Sequence, residues 1–330
     1  MPYWVYLSIR ARSFTYFTAA NPGIEHSGVF GESKIDILKK IDRHYLPTTL
    51  FFESDTSVAQ VSKGLEDESL AFPIIIKPNV GERGNEVAKV SNTNQLTSYL
   101  DANTTDFIIQ EFVDFEIELG ILYYKFPDES KSGITSIVTK EFLTVTGDGT
   151  STIIDLIGQS DRARLQLGAL KQRLGDDLLE VLPAGEKRNL EPIGNHSRGT
   201  KFLSGMNLLN DQLVAVFDDV SKDIEGFYFG RFDLKVKSTE DLYKGDNIKI
   251  LELNGVTSEP AHIYDPSYSI WKAWSEAARN MKMMFRVSKA NMKNGVKVTP
   301  FFEMFRLVRS HFGDNAEDTT VVAAKPSLQK

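Results

Sequence analysis

The segment FPIIIKPNVGERGNEVAKV, residues 72–90, constrains this chain more than any other. An apolar run ends on Lys77 and Pro78 then removes a backbone donor, so the pattern predicts a buried strand that delivers a lysine into a turn. Gly81 and Gly84 follow in a short loop whose backbone amides could close over phosphates without side-chain obstruction. An ammonium at the end of a buried strand needs an anion. The same residues also fit a plain hairpin whose lysine reaches back to solvent, because neither GxxxxGK[ST] nor GxGxxG occurs in the chain.

A second constellation lies far downstream, in GRFDLKV and ILELNG. Residues 227–236 and 248–253 read as paired strands. Asp233 falls within the first, while Glu252 and Asn254 lie two apart on the second, which points them to one face. Two carboxylates and an amide on neighbouring strands make an oxygen-only cage of the kind magnesium prefers, with water and substrate phosphates completing the octahedron. Arg231, two residues before Asp233, projects to the same side and could hold a phosphate bidentately. A salt-bridged polar sheet face is the alternative.

Between and around these segments, strands alternate with helices. Residues 107–110, 119–124 and 135–144 read as strands. Helices are expected over 33–44, 151–174, 207–224 and 271–287, the second with its apolar rhythm blurred by Gly158 and Gly168. The tail beyond Asp314 is polar and expected to fray. At 330 residues and 41% hydrophobic content, the chain can bury a substantial core in one composite domain or in two or three subdomains. It has no cysteine, so any metal must be held by oxygen or imidazole, and the five histidines show no ligand spacing. The opening MPYWVYLSIRARSF lacks a charged region before its apolar stretch, and Arg10 and Arg12 interrupt that stretch. Neither a signal peptide nor a membrane span fits, and a cytoplasmic setting is expected.

The net charge of −7 hides an asymmetry, because residues 271–312 carry nine Lys or Arg against two Glu. With Met281, Met283, Met284, Phe285, Phe301, Phe302 and Phe305, this basic stretch could touch an anionic membrane surface or an acidic partner. A solvated basic face with its apolar side packed on the body is the plainer expectation. No nucleic-acid partner is expected, and a homodimer is open.

KPxxGxxGxxV, the strand end Gln110-Glu111-Phe112-Val113, GRFD and ELN occur in that order, and the set resembles the ATP-grasp superfamily over residues 34–260. GESKIDILKK is similar to the opening helix of D-alanine:D-alanine ligases. VTGDGTSTIIDLI and VLPAGEKRNLEPIGNHSRGT are similar to the matching regions of cyanophycin synthetases and glutathione-synthetase-like modules. Their N-x-S-x-G-G ending becomes Asn195-His196-Ser197-Arg198-Gly199-Thr200 here.

The resemblance implies an α+β fold of the ATP-grasp kind, two subdomains clamping ATP between antiparallel sheets. Residues 1–69 would lead in, 70–126 would form the lid, and 127–330 the larger metal-bearing part. It implies an ATP-dependent carboxylate–amine ligase that forms an acyl phosphate from a small-molecule or peptide carboxylate and releases ADP and phosphate. A kinase, a thiol ligase or a non-catalytic ATP-binding module are the alternatives. Lys34 and Lys77 would contact the nucleotide phosphates, and Gly81, Glu82, Arg83 and Gly84 would close over them. Gln110, Glu111 and Val113 would read adenine, and Glu118, or in competition Glu116, would hold the ribose. Asp233, Glu252 and Asn254 would bind Mg2+ (or Mn2+), with Arg231 steadying the transferred phosphoryl group. Asn195, Arg198 and Lys201 could meet the acyl phosphate or a substrate carboxylate, and Lys140 a phosphate. The ligases carry an α/β domain ahead of the lysine helix, whereas 33 residues precede Lys34 here. That lead is expected to supply an extended strand and loop, with residues 21–31 lining the acceptor pocket, or else to be a simple strap.

Overall fold

Short runs rich in isoleucine, leucine and phenylalanine favour pleated, half-buried backbone, and they build the smaller of two main sheets. The computed structural model describes residues 2–81, 86–129 and 131–318. β1 (Thr49–Phe52), β2 (Ile74–Pro78), β3 (Ala88–Val90) and β4 (Phe107–Glu111) pair antiparallel in the order β1-β4-β2-β3. Helices Val58–Asp67 and Thr93–Ala102 cover this sheet, setting Val61, Leu65 and Leu96 against Ile74, Ile76, Phe107 and Ile109. Their starts are written in the sequence: Ser57 and Gln60 form a reciprocal capping box, and the Asn92 side chain accepts from Gln95 N.

The larger sheet takes β5 (Ile117–Lys125) and β6 (Ser132–Glu141). After the separate pair β7 (Thr144–Thr146) and β8 (Lys187–Asn189), it adds β9 (Lys201–Ser204), β10 (Phe229–Val236) and β11 (Ile248–Asn254). Its order is β11-β10-β5-β6-β9, with antiparallel neighbours throughout. Alternation then sorts the side chains. Leu119, Ile121 and Tyr123 of β5 share a face with Phe232, Leu234 and Val236 of β10, and helix Asp211–Ser221 seals it with Leu213, Phe217 and Val220. Each such side chain withdrawn from water contributes about 1.5–3 kcal/mol. The other face is divided. Glu118, Lys235, Asp233 and Arg231 lie along it, and at its far end Leu122, Tyr124 and Phe229 pack beneath Val287 and Met304.

Several elements differ from expectation. The helix expected over 151–174 is three helices, Ile153–Gln159, Asp161–Leu165 and Leu167–Leu174. The first break is at Ser160, not at a glycine: its backbone is extended and its hydroxyl accepts from Ala163 N, a local bond that competes with helix continuation. The helix expected over 33–44 shrinks to Lys34–Leu38, followed by a turn at Arg43–Tyr45. The one expected over 271–287 extends to Ile270–Lys293. The lead contains helix Pro2–Ala11 and tight turns at Tyr16–Ala19 and Glu25–Ser27, and no strand among its described residues. Asn21, expected at an acceptor pocket, is buried and laced to the backbone of Tyr228 and Phe229, so this part of the lead is a strap on β10. The smaller sheet also departs from a 70–126 lid at both ends, since it recruits β1 from the lead and gives up β5 to the larger sheet.

Candidate active site

Cross-strand register assembles the site. Arg231 lies opposite Asn254 and Asp233 opposite Glu252, so the four residues singled out from GRFD and ELN share one face of the β10–β11 pair. The strand on the other side of β10 offers Gly120 opposite Asp233. A Cβ there would sit 2.8 Å from Val138 Cγ1, 3.1 Å from Asp233 Oδ1 and 3.3 Å from Arg231 Cδ. Glycine is what leaves room for the carboxylate.

Asp233 is the hub. It accepts from Arg231 Nε at 3.1–3.2 Å and Nη2 at 2.9 Å, and from Asn254 Nδ2 at 2.9 Å, and it lies 3.3 Å from Lys140 Nζ. Burial alone would push its pKa up, but the charges of Arg231 and Lys140 outweigh burial and hold it below the usual carboxylate range. Lys140 is largely withdrawn from solvent, 2.9 Å from Glu118 Oε1, and the carboxylates of Asp233 and Glu118 overcome desolvation to raise its pKa. Arg231 follows the same pattern, its charge favoured by Asp233 against burial.

Two further cations arrive from outside the larger sheet. Lys77, at the end of β2, donates to Leu251 O at 2.9 Å and Gln110 Oε1 at 3.2 Å, and burial, partly opposed by Glu252, lowers its pKa to about 8. Lys34 donates to Gly81 O at 2.5 Å and lies 3.9 Å from Glu252 Oε1. Its helix is stapled to the loop after β2, because Lys34 N donates to Asn79 O and Ile35 N to Asn79 Oδ1. Glu82, Arg83 and Gly84, expected in that loop, lie outside the described residues.

The segment expected to read adenine is the chain between β4 and β5. Gln110 is buried, but its side chain is spent on Lys77 and Thr49. Glu111 is exposed and accepts from Thr48 N. Val113 is buried, and its carbonyl accepts from Lys235 Nζ at 3.0 Å. Of the two ribose candidates, Glu116 is exposed, whereas Glu118 is buried in its pair with Lys140.

The 195–201 loop divides. Asn195 caps the turn His196–Arg198 through a bond from Ser197 N. Arg198 is 3.7 Å from Glu191, and Lys201 is 3.6 Å from Glu141. Arg198 thus lies beside Glu191, toward the helical excursion. The part of this loop that touches the cluster is Gly194, where a Cβ would lie 2.2 Å from Glu118 Oε1. Gly120, Gly194 and Lys235 are absent from the motif reading. Gly120 had a signal, a glycine inside the apolar strand IELGILYYK, while Gly194 and Lys235 acquire their positions only from packing.

No group of three His, Asp or Glu suited to a metal occurs among the described residues. Two carboxylates and an amide oxygen do fit Mg2+, which takes one or two carboxylates and fills its remaining positions with water and substrate phosphates. Cavities of about 310 Å³ beside Tyr45, Val216 and Tyr243, and about 280 Å³ beside Arg173, Glu191 and Arg198, both lie away from Asp233.

Residues 33–129 match the family described as RimK-like ATP-grasp domain, a span shorter than half the chain. The ATP-grasp resemblance carried by the motifs holds over that segment, and the α+β class built on antiparallel sheets holds for the described chain. No curated protein matches the sequence. Among solved structures, the chain is similar to the VanG D-Ala:D-Ser ligase of Enterococcus faecalis, with 13% identity and a TM-score of 0.40 over 74% of this chain and 56% of that one. It is similar to D-alanine–D-alanine ligase of Bacillus anthracis, with 13% identity and a TM-score of 0.44 over 79% and 68%. The bifunctional glutathione synthetase of Pasteurella multocida gives 15% identity and a TM-score of 0.38 over 76% and 35%. The chain thus spans little more than half the length of the first of these and about a third of the last.

Proposed function

We propose that this chain, with its ATP-grasp segment at residues 33–129, is an ATP-dependent carboxylate–amine ligase that works through an acyl phosphate. The reading is carried by the convergence of Lys34 and Lys77 on the sheet face where Lys140, Arg231, Asp233, Glu252 and Asn254 stand together. Phosphoryl transfer asks the protein for alignment and charge neutralisation more than for covalent help. The four cations suit a polyphosphate, and two of them, Arg231 and Lys140, also pair with Asp233. Asp233, Glu252 and Asn254 would hold Mg2+ (or Mn2+), which supplies further neutralisation of the phosphates.

A carboxylate resists attack by an amine until one of its oxygens carries a good leaving group. The substrate carboxylate attacks the γ-phosphorus and ADP leaves. The amine then attacks the acyl carbon, phosphate leaves with the former carboxylate oxygen, and a proton is released as the amide forms. Lys34 and Arg231 steady the phosphoryl group, and the loop after β2, held at Gly81 O by Lys34, limits water that would hydrolyse the acyl phosphate. Use of ATP suits a cytoplasmic setting.

The test is ADP release across a panel of amino acids and peptides with Mg2+ present, with hydroxylamine added in place of the amine. Carboxylate-dependent ADP release together with a hydroxamate supports the ligase. A stable phosphoester without hydroxamate means a kinase, and no substrate-stimulated ADP across a broad panel means a nucleotide-binding module.

A further inference from the structure

The turn after helix Pro2–Ala11 meets the start of helix Phe301–Asp318 through Phe14 and Phe301, whose ring centroids lie 6.3 Å apart. Trp4 is 5.8 Å from Phe14, and Phe302 is 5.8 Å from Phe301, so the aromatic rings continue as one strip. The inward sides of these helices are packed, with Leu7, Ala11 and Met304 buried. The outward sides are not. Ile9 is 67% exposed, Phe302 77% and Phe305 58%, with Tyr6, Phe14 and Phe301 exposed beside them. Scattered exposed apolar residues need no account, but a contiguous strip on one surface does. Of the apolar residues in the basic C-terminal stretch, Met281, Met284 and Phe285 pack inward, whereas Phe301, Phe302 and Phe305 do not.

The charge around the strip is mainly positive, with Glu303 the exception between Phe302 and Phe305. Residues 2–24 hold Arg10 and Arg12 and no acid, and residues 277–302 hold six Lys or Arg and no acid. Arg306 and Arg309 are exposed on the C-terminal helix, and Glu303 is the one carboxylate between residues 277 and 309. Such a surface stands out in a chain of net charge −7. The two helices are also presented together: Thr15 Oγ1 donates to Thr299 O at 2.7 Å, and Thr299 N to Thr18 Oγ1 at 2.8 Å.

We propose that this strip docks the protein on a bilayer containing anionic lipid. The aromatic rings enter the interfacial layer, where Trp, Tyr and Phe are favoured, and the surrounding arginines and lysines hold the anionic headgroups. No described helix is long and apolar enough to cross a membrane, so the protein lies on the surface. A second copy fits less well, since a two-fold contact through the strip sets its cations against the same cations. Met304 packs with Phe229 and Val256, which ties the docking face to the apolar end of the sheet face that bears Asp233.

Co-sedimentation of the full chain with vesicles of phosphatidylcholine alone, or mixed with phosphatidylglycerol, tests this. The expected result is binding to the mixed vesicles that weakens with added salt, and little binding to phosphatidylcholine alone. Replacing exposed Phe302 and Phe305 together (Phe302→Ser, Phe305→Ser) lowers partitioning by about tenfold or more, the scale of withdrawing two rings from an apolar phase. Arg306→Glu with Arg309→Glu removes the preference for anionic vesicles, and both double variants melt as the parent does. Absence of vesicle binding, or binding unchanged in both double variants, overturns the proposal. So does a dimer, seen by sedimentation without lipid, that Phe302→Ser with Phe305→Ser dissociates, which assigns the strip to a second copy.

Discussion

Lys77 of the smaller sheet donates a hydrogen bond to the carbonyl of Leu251 on the larger sheet, at 2.9 Å. A buried ammonium thus spans the two sheets beside the carboxylate of Glu252.

That position predicts a pH dependence. With its pKa lowered to about 8, Lys77 is charged in the free protein below that pH and neutral above it. A bound polyphosphate favours the charged form, so binding above the free pKa must take up a proton. ATP affinity is expected to fall as pH rises through about 8, approaching tenfold per unit, and the calorimetric signal to report proton uptake there. Lys77→Met should bind more weakly at neutral pH by roughly 1.5–3 kcal/mol and lose the step. A step retained in Lys77→Met assigns the titration to another group.

The two carboxylates of the β10–β11 pair should respond differently. Glu252 is partly exposed and its ion pair with Lys34 is long, at 3.9 Å, so Glu252→Gln should keep nearly the parent melting temperature and lose Mg2+-dependent turnover. Asp233 is buried and balances both Arg231 and Lys140, so Asp233→Asn should lose turnover and also cost about 3–5 kcal/mol of stability. Full turnover in a folded Glu252→Gln protein contradicts the metal assignment.

Gly120 should tolerate no side chain. Gly120→Ala places a methyl group against Val138, Asp233 and Arg231, and overpacking of this kind costs about 1–3 kcal/mol. Denaturant unfolding should show that loss, with a rise in the Km for ATP as Asp233 and Arg231 shift. An unchanged midpoint and Km would mean that β5 yields without disturbing the site.

The motif residues could be placed from sequence because strand alternation fixes facing, and Arg231, Asp233, Glu252 and Asn254 needed nothing else to share a surface. Lys77 was legible for a local reason, since the proline after it ends its strand, whereas Lys34 came from the resemblance carried by GESKIDILKK. Arg198 was not. Its ion pair with Glu191 depends on how three short helices fold back, and Ser160, which breaks the first of them, competes with the helix through a hydroxyl bond that apolar periodicity does not register. Lys235 was missed because its partner, Val113 O, is 122 residues distant. In the lead, pocket and strap were both open for a related reason: Asn21 resembles a loop residue until Tyr228 and Phe229 supply its partners.

In acyl-phosphate chemistry the carboxylate oxygen leaves with the phosphate, and this is directly measurable. Substrate labelled with oxygen-18 in its carboxylate should be incubated with the protein, ATP, Mg2+ and amine, and the released phosphate examined by mass spectrometry or by phosphorus NMR. Acyl-phosphate chemistry predicts one labelled oxygen in the phosphate for each amide formed, with ADP as the nucleotide product. Unlabelled phosphate during confirmed amide formation, or AMP and pyrophosphate in place of ADP and phosphate, would contradict it.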